Sequence, residues 1–146
     1  LIKQIFFNMT KWFTTALICL AMGACSPKLS SSSPLFGSRW VLQTLSGVPV
    51  QTSGSDKDAH LQFERDGNRV SGTGGCNRVM GSFEADGKKK MQFSPLASTK
   101  MACPDLAFEE KFLEELNKTK FYTFAQDGTL QLKDGKGNVL ATFSKR

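Results

Sequence analysis

The chain has 146 residues, 40% of them hydrophobic, with 19 Lys+Arg against 13 Asp+Glu and a net charge of +6. That size suits one domain with one core, and no internal repeat is visible. The positive excess comes without an arginine cluster or an aromatic-basic platform, which argues against a nucleic-acid partner.

The first residues form an export pattern. Lys11 supplies charge, Trp12 to Met22 an apolar run, and Gly23 and Ala24 the small residues before Cys25. A basic start, an apolar stretch of roughly 7–15 residues and small residues at the cut mark a secretory signal. A cysteine directly behind the cut marks the bacterial lipoprotein form, in which the sulfur takes acyl chains such as palmitate. Residues 1–24 are therefore read as a signal peptide and Cys25 as the lipidated residue. Met22 stands where such signals favour Leu, so an ordinary signal peptide or an uncleaved anchor are the alternatives. A spanning helix needs about 20 apolar residues, and Asn8, Thr10 and Lys11 interrupt the run. Met9-Thr10-Lys11 would open a compact signal by itself, which leaves Leu1 and Met9 as alternative starts. Cys19 lies inside the apolar run and leaves with it. Ser26, with no Asp behind Cys25, favours the outer membrane with the domain facing the periplasm. Lys3 and Lys11 precede Cys25 and no acid does, so the mature charge is 17 − 13 = +4.

Residues 25–37, Ser-rich over Ser26–Ser33 and containing Pro27 and Pro34, read as a Ser/Pro-rich tether. Residues 38–146 read as the folded domain. Trp40, Leu42 and Leu45 predict a first strand closed by Gly47-Val48-Pro49. Leu61 and Phe63 predict a second, with His60, Gln62 and Glu64 on its other face. Asp-Gly pairs at 66–67, 86–87, 127–128 and 134–135 predict hairpin turns, since these residues accept positive φ. Strands around Val79–Glu84, Met91–Ser94, Phe121–Ala125, Thr129–Lys133 and Val139–Ser144 complete an antiparallel meander. Lys88-Lys89-Lys90 reads as a solvated hairpin flank or as a contact for anionic lipid headgroups. One helix interrupts the strands. Pro104 suits its first turn, and Phe108, Phe112, Leu113 and Leu116 form its apolar stripe. Glu109, Lys111, Glu114 and Glu115 are expected on its exposed side, and the helix is expected to lie across the sheet.

The unusual stretch is Gly72-Thr73-Gly74-Gly75-Cys76-Asn77-Arg78. Its glycines predict a bulge or tight bend where backbone approaches backbone. Neither dinucleotide-binding nor phosphate-loop spacing is present. Gly-Gly-Cys-Asn-Arg with Gly81, then Thr99-Lys100-Met101-Ala102-Cys103 before an acidic helix with Phe112-Leu113, resembles the META domain of HslJ-like envelope lipoproteins. Trp40-x-Leu42 and the closing Leu130-x-Leu132, Gly137 and Leu140 fit as well, so the resemblance covers residues 38–143. It implies a mainly β (α+β) fold, a strongly curved antiparallel sheet or partial barrel with one packed helix. It also implies a bacterial envelope protein connected with stress response, with no established catalysis and a likeness to pilot lipoproteins of secretion systems.

Cys76 and Cys103 are the thiols left once lipid takes Cys25. In an oxidising compartment they are expected to pair; two free buried cysteines or a redox role are the alternatives. A metal site needs three or four converging ligands, and one histidine, His60, argues against metal and against a Ser-His-Asp set alike. No cofactor is expected. Asn77 reads as a bend residue or a binding residue. Arg78 either bonds loop carbonyls or faces an acidic partner or a lipid phosphate. The resulting expectation is a non-enzymatic envelope lipoprotein, membrane-attached through its anchor, that acts as a binding module. A carrier of a small hydrophobic or lipid ligand in the concave face of the sheet is one alternative. A pilot-like or inhibitory partner of a secreted or envelope protein is the other.

Overall fold

Period-two alternation becomes strand wherever the sequence predicts it, and the computed structural model describes residues 28–146. The expected signal peptide, residues 1–24, and Cys25 lie outside the described residues. In chain order the strands are β1 (Arg39–Leu45), β2 (Val48–Pro49), β3 (His60–Glu64), β4 (Arg69–Thr73), β5 (Arg78–Ala85), β6 (Met91–Phe93) and β7 (Ala97–Ser98). The helix α1 (Leu106–Lys118) follows, then β8 (Phe121–Phe124), β9 (Leu130–Lys133) and β10 (Val139–Lys145).

The strands lie in the order β6-β5-β4-β3-β1-β10-β9-β8, with β2 added to β1 and β7 to β5. This is two meanders joined, not one. The strand β1 pairs with β10, Trp40 opposite Lys145 and Leu45 opposite Ala141, so the two ends of the domain zip together. Alternation and turn residues specify neighbours along the chain; they carry no information on which distant edges meet. A register shift between Leu42 and Thr44 marks a bulge in β1, of the kind that sharpens sheet curvature. The outer edges almost meet. Met91 N–H donates to Lys120 O at 3.0 Å and Tyr122 N–H to Lys89 O at 2.9 Å. The result is a strongly curved, nearly closed antiparallel barrel with one helix.

Two of the four Asp-Gly turns work differently from the expectation. In them the positive φ falls on Lys89 and on Gly137 rather than on the glycine after Asp. The aspartate earns its place through its carboxylate. Asp86 Oδ1 accepts from the N–H groups of Lys88 and Lys90, and Asp134 Oδ1 from those of Lys136 and Asn138. These are side-chain-closed loops longer than a two-residue hairpin.

The core fills the barrel. Trp40, Phe112 and Phe143 are its largest fully buried side chains, joined by Leu42, Leu61 and Leu132. Phe63 and Phe83 meet edge to face at 5.0 Å, the arrangement that ring quadrupoles favour. The helix packs on β10 and β6, with Phe112 and Phe143 centroids 6.3 Å apart. The concave face is therefore occupied by the protein's own side chains.

Three expectations are corrected here. The tether does not run to residue 37: Leu35 is fully buried, its carbonyl accepts from Trp40 Nε1 at 2.9 Å, and Phe36 bridges Phe63. Two apolar residues are too few to show periodicity, so only their packing reveals them. Pro104 precedes the helix, whose N-cap is Asp105. Glu109 and Glu115, expected outside, are each 4% exposed. Glu115 sits beneath Lys111 and Lys118, with Lys111 Nζ 2.7 Å from its carboxylate. Burial alone pulls its pKa up, but the bonds from these two lysines prevail and hold it below the ordinary value.

Candidate binding cleft

The glycine-rich bend between β4 and β5 builds one wall of an open cleft. Glycine is required at Gly72, because a Cβ there would lie 2.0 Å from the His60 carbonyl oxygen on the paired strand. At Gly74 a Cβ would meet Glu109 Cγ at 2.5 Å, and Gly75 adopts φ +109. The bend closes on itself: Thr73 Oγ1 donates to Asn77 O at 2.8 Å and Gly74 N–H to the same oxygen at 3.1 Å.

Two groups hold this bend to the segment entering the helix. Asn77 is buried, and its Oδ1 accepts from Met101 N–H at 2.8 Å and Thr99 Oγ1 at 3.1 Å. Its backbone N–H donates to Glu109 Oε2 at 2.8 Å, while Ser98 Oγ donates to Glu109 Oε1 at 2.7 Å. A buried carboxylate is tolerated when its oxygens are bonded in this way. The second hold is covalent: Cys76 and Cys103 form a disulfide, their Cα atoms 6.4 Å apart.

Asn77 is an internal staple, its amide turned into the loop. The Arg78 side chain is exposed and makes no hydrogen bond or ion pair among the described residues; only its backbone is tied, N–H to Thr99 Oγ1 and carbonyl to Thr99 N–H, each at 3.1 Å. Sequence reasoning missed Glu109. The signal was present, since Glu109 precedes Phe112 by three residues and Leu116 by seven, which places it on the buried stripe.

The cleft has a volume of about 1300 Å³ and lies between the β1–β2 turn, the 50–59 loop, the bend with its disulfide, and the start of α1. Its character is apolar. Val48 and Met101 stand on it 65% and 55% exposed, with Val50, Ala59 and Phe108 further in. Lys57, Asp58, Asp105 and Lys111 supply charges of both signs. Sequence reasoning did not single out Val48 or Met101. Val48 was legible as an apolar residue inside a Gly-Val-Pro turn, where no core is available to it.

Asp58 and His60 brace the loop side of the cleft. Asp58 accepts from Ser53 N–H, Ser53 Oγ and Gly54 N–H, each at 2.8 Å. The Ser53 backbone bond is the main cause of its pKa lying below the ordinary 3.8, against the opposing effect of burial. His60 Nδ1 bonds the Asp58 carbonyl at 2.8 Å. Burial, and secondarily the Arg39 charge, lower its pKa from 6.5. Both shifts make acid destabilising. The unfolded imidazole takes its proton near pH 6.5 while the folded one resists, and the stability from the Asp58 carboxylate is present above pH 3.8 and lost below it. Urea unfolding from pH 8 to 3 is expected to show a decline starting near pH 6.5 and a steeper one below about pH 4. Asp58→Asn is expected to flatten the lower limb; an unchanged limb contradicts this assignment.

Among the described residues no group of three or more His, Cys, Asp or Glu is placed to hold a metal ion. No helix among them is long and apolar enough to cross a membrane. Tyr122 is a sheet residue whose hydroxyl donates to Asp86 O at 3.3 Å; burial raises its pKa.

A family model described as the META domain matches residues 33–146. The sequence matches no curated protein. An NMR structure of a protein from Burkholderia xenovorans is similar, with 25% identity and a TM-score of 0.55 over 82% of this chain and 96% of that one. The crystal structure of a DUF4847 family protein from Bacteroides vulgatus ATCC 8482 is 22% identical, with a TM-score of 0.46 over 59% of this chain and 57% of that one. At that level the second likeness bears no weight.

Proposed function

This chain belongs to the META domain family, and from that premise we propose that it is a lipid-anchored, non-enzymatic module of the bacterial envelope, of the HslJ-like kind. In this reading it holds an apolar segment of an envelope partner in the cleft beside the disulfide. Residues 1–24 are the export signal, Cys25 carries the acyl chains, and the domain faces the periplasm from the outer membrane. The observation that carries the reading is the open cleft of about 1300 Å³ with Val48 and Met101 exposed upon it. Large exposed apolar side chains gathered at one depression are what binding surfaces present. Support for a non-enzymatic role comes from the chemistry at hand: His60 is engaged with a backbone carbonyl and Asn77 with the bend.

A small hydrophobic ligand in the concave face loses its support, because Trp40, Phe112 and Phe143 fill that space. The same cleft is the place where such a ligand would be sought. The test is affinity capture from detergent-solubilised envelopes with the acylated protein, compared with the Val48→Asp, Met101→Asp variant. The expected result is one stoichiometric envelope protein, retained by the native cleft and released by the variant at unchanged melting temperature. Equal capture by both forms overturns the reading, and extracted lipid in place of protein moves it to the ligand alternative.

A further inference from the structure

The position of Lys28 bears on how the domain sits on a bilayer. Lys28 bridges Asp86 in antiparallel fashion, which fixes the start of the described chain beside the β5–β6 loop. Leu29 packs against the core, and Arg65 Nη2 donates to the Ser31 carbonyl. This segment is therefore seated on the domain. Cys25 is three residues before Lys28, a reach of about 10 Å at full extension. An acyl group on Cys25, as proposed above, would bring a bilayer within that reach of Lys28 and of the 86–90 loop it bridges.

That loop is basic and outward-facing. Lys28, Lys88, Lys89 and Lys90 are all exposed, and none of the four forms an ion pair among the described residues. Asp86, the acid of the loop, is turned in on the N–H groups of Lys88 and Lys90. The loop is also stiff, since Tyr122 N–H donates to Lys89 O and Tyr122 Oη to Asp86 O. Lysines held within roughly a Debye length of a bilayer, about 8 Å at physiological salt, feel its surface charge.

We propose that Lys28, Lys88, Lys89 and Lys90 form a face that lies on anionic phospholipid headgroups, orienting the anchored domain with its cleft directed away from the membrane. The strand β5 sets the second half of that statement. It runs from Arg78, beside the bend and cleft, to Ala85, beside the basic loop, over eight residues. At about 3.3 Å per residue its ends are roughly 23 Å apart. An anchor at one end leaves the other free for a partner. The inference rests on the acylation of Cys25 proposed above.

The test is amine footprinting of the full acylated chain on vesicles of phosphatidylcholine alone and of phosphatidylcholine with phosphatidylglycerol. Labelling of Lys28, Lys88, Lys89 and Lys90 is expected to fall severalfold on the anionic vesicles, with Lys57 and Lys111 at the cleft unchanged. The triple variant Lys88→Gln, Lys89→Gln, Lys90→Gln is expected to stay bound through its anchor while Lys28 labels as on neutral vesicles. Equal labelling of the four lysines on both surfaces, or protection of Lys57 and Lys111 instead, overturns the proposal. The mass of the N-terminal peptide is read in the same digest. A peptide without acyl mass removes the anchor and this inference with it, whereas an acylated peptide with uniform labelling removes this inference alone.

Discussion

Replacing Trp40 with alanine is expected to destabilise the domain by about 3–5 kcal/mol, the cost of deleting a fully buried aromatic ring. Trp40 sits where the two meanders join, in β1 between β3 and β10. Its ring lies 5.7 Å from that of Phe124, and its Nε1–H donates to the Leu35 carbonyl. The substitution therefore opens a cavity and releases the segment around Leu35 that leads into the barrel. Against a typical total of about 5–15 kcal/mol, that loss leaves little. Chemical denaturation of the native and Trp40→Ala chains gives the number directly. A loss below about 1 kcal/mol contradicts the placement of Trp40 at the centre of the core.

Removing the disulfide is the second large effect. Cys76 and Cys103 are 27 residues apart, and on the chain-entropy model a loop of that length contributes about 3 kcal/mol. For a domain of this size that corresponds to a melting temperature lower by roughly 10–20 °C. The double variant Cys76→Ser, Cys103→Ser is expected to fall by that amount. Native protein treated with a strong dithiol reductant is expected to fall by a similar amount, and the reductant is expected to leave the variant unaffected. Two alkylatable thiols in the native protein purified without reductant, or a variant that melts with the wild type, contradict the assignment.

What the sequence made legible was local. Alternation at Leu61 and Phe63 and at Leu130 and Leu132 marked strands correctly, because a half-buried strand has no other pattern available. The crowding of Gly72 and Gly74 was readable, since only a missing side chain allows such approach. The pairing of Cys76 with Cys103 followed from the expectation of an oxidising compartment, where two neighbouring thiols join. The pairing of β1 with β10 was not readable, and neither was the closing of β6 toward β8. Both depend on the curvature of the whole sheet rather than on any short stretch. Glu109 was misplaced because charge on a helix ordinarily signals solvent. Here the bend supplies the N–H of Asn77 and the hydroxyl of Ser98, and those partners lie 32 and 11 residues away. The cleft itself arises from four separate segments. No window of the sequence contains it.

Those four segments bear on function as well as fold. The disulfide and the Asn77 staple fix the Gly74–Cys76 bend against the approach to α1, so one wall of the cleft is rigid. The opposite wall is the β1–β2 turn with Val48, paired to β1 and tied to β10 by Ser46 N–H donating to Leu140 O at 2.7 Å. An open apolar cleft between two walls tied to the barrel is where the apolar segment proposed above would lie.

A photo-cross-linking residue at Val48, carried by the full-length chain in intact bacterial cells, probes the proposed partner site directly, with Gln92 on the exposed face of β6 as the comparison. One discrete adduct, formed from position 48, absent from position 92 and lost in the Met101→Asp background, is the predicted result. Adducts that are the same from both positions, or none from position 48, would mean that this depression is not where the molecule meets its partner.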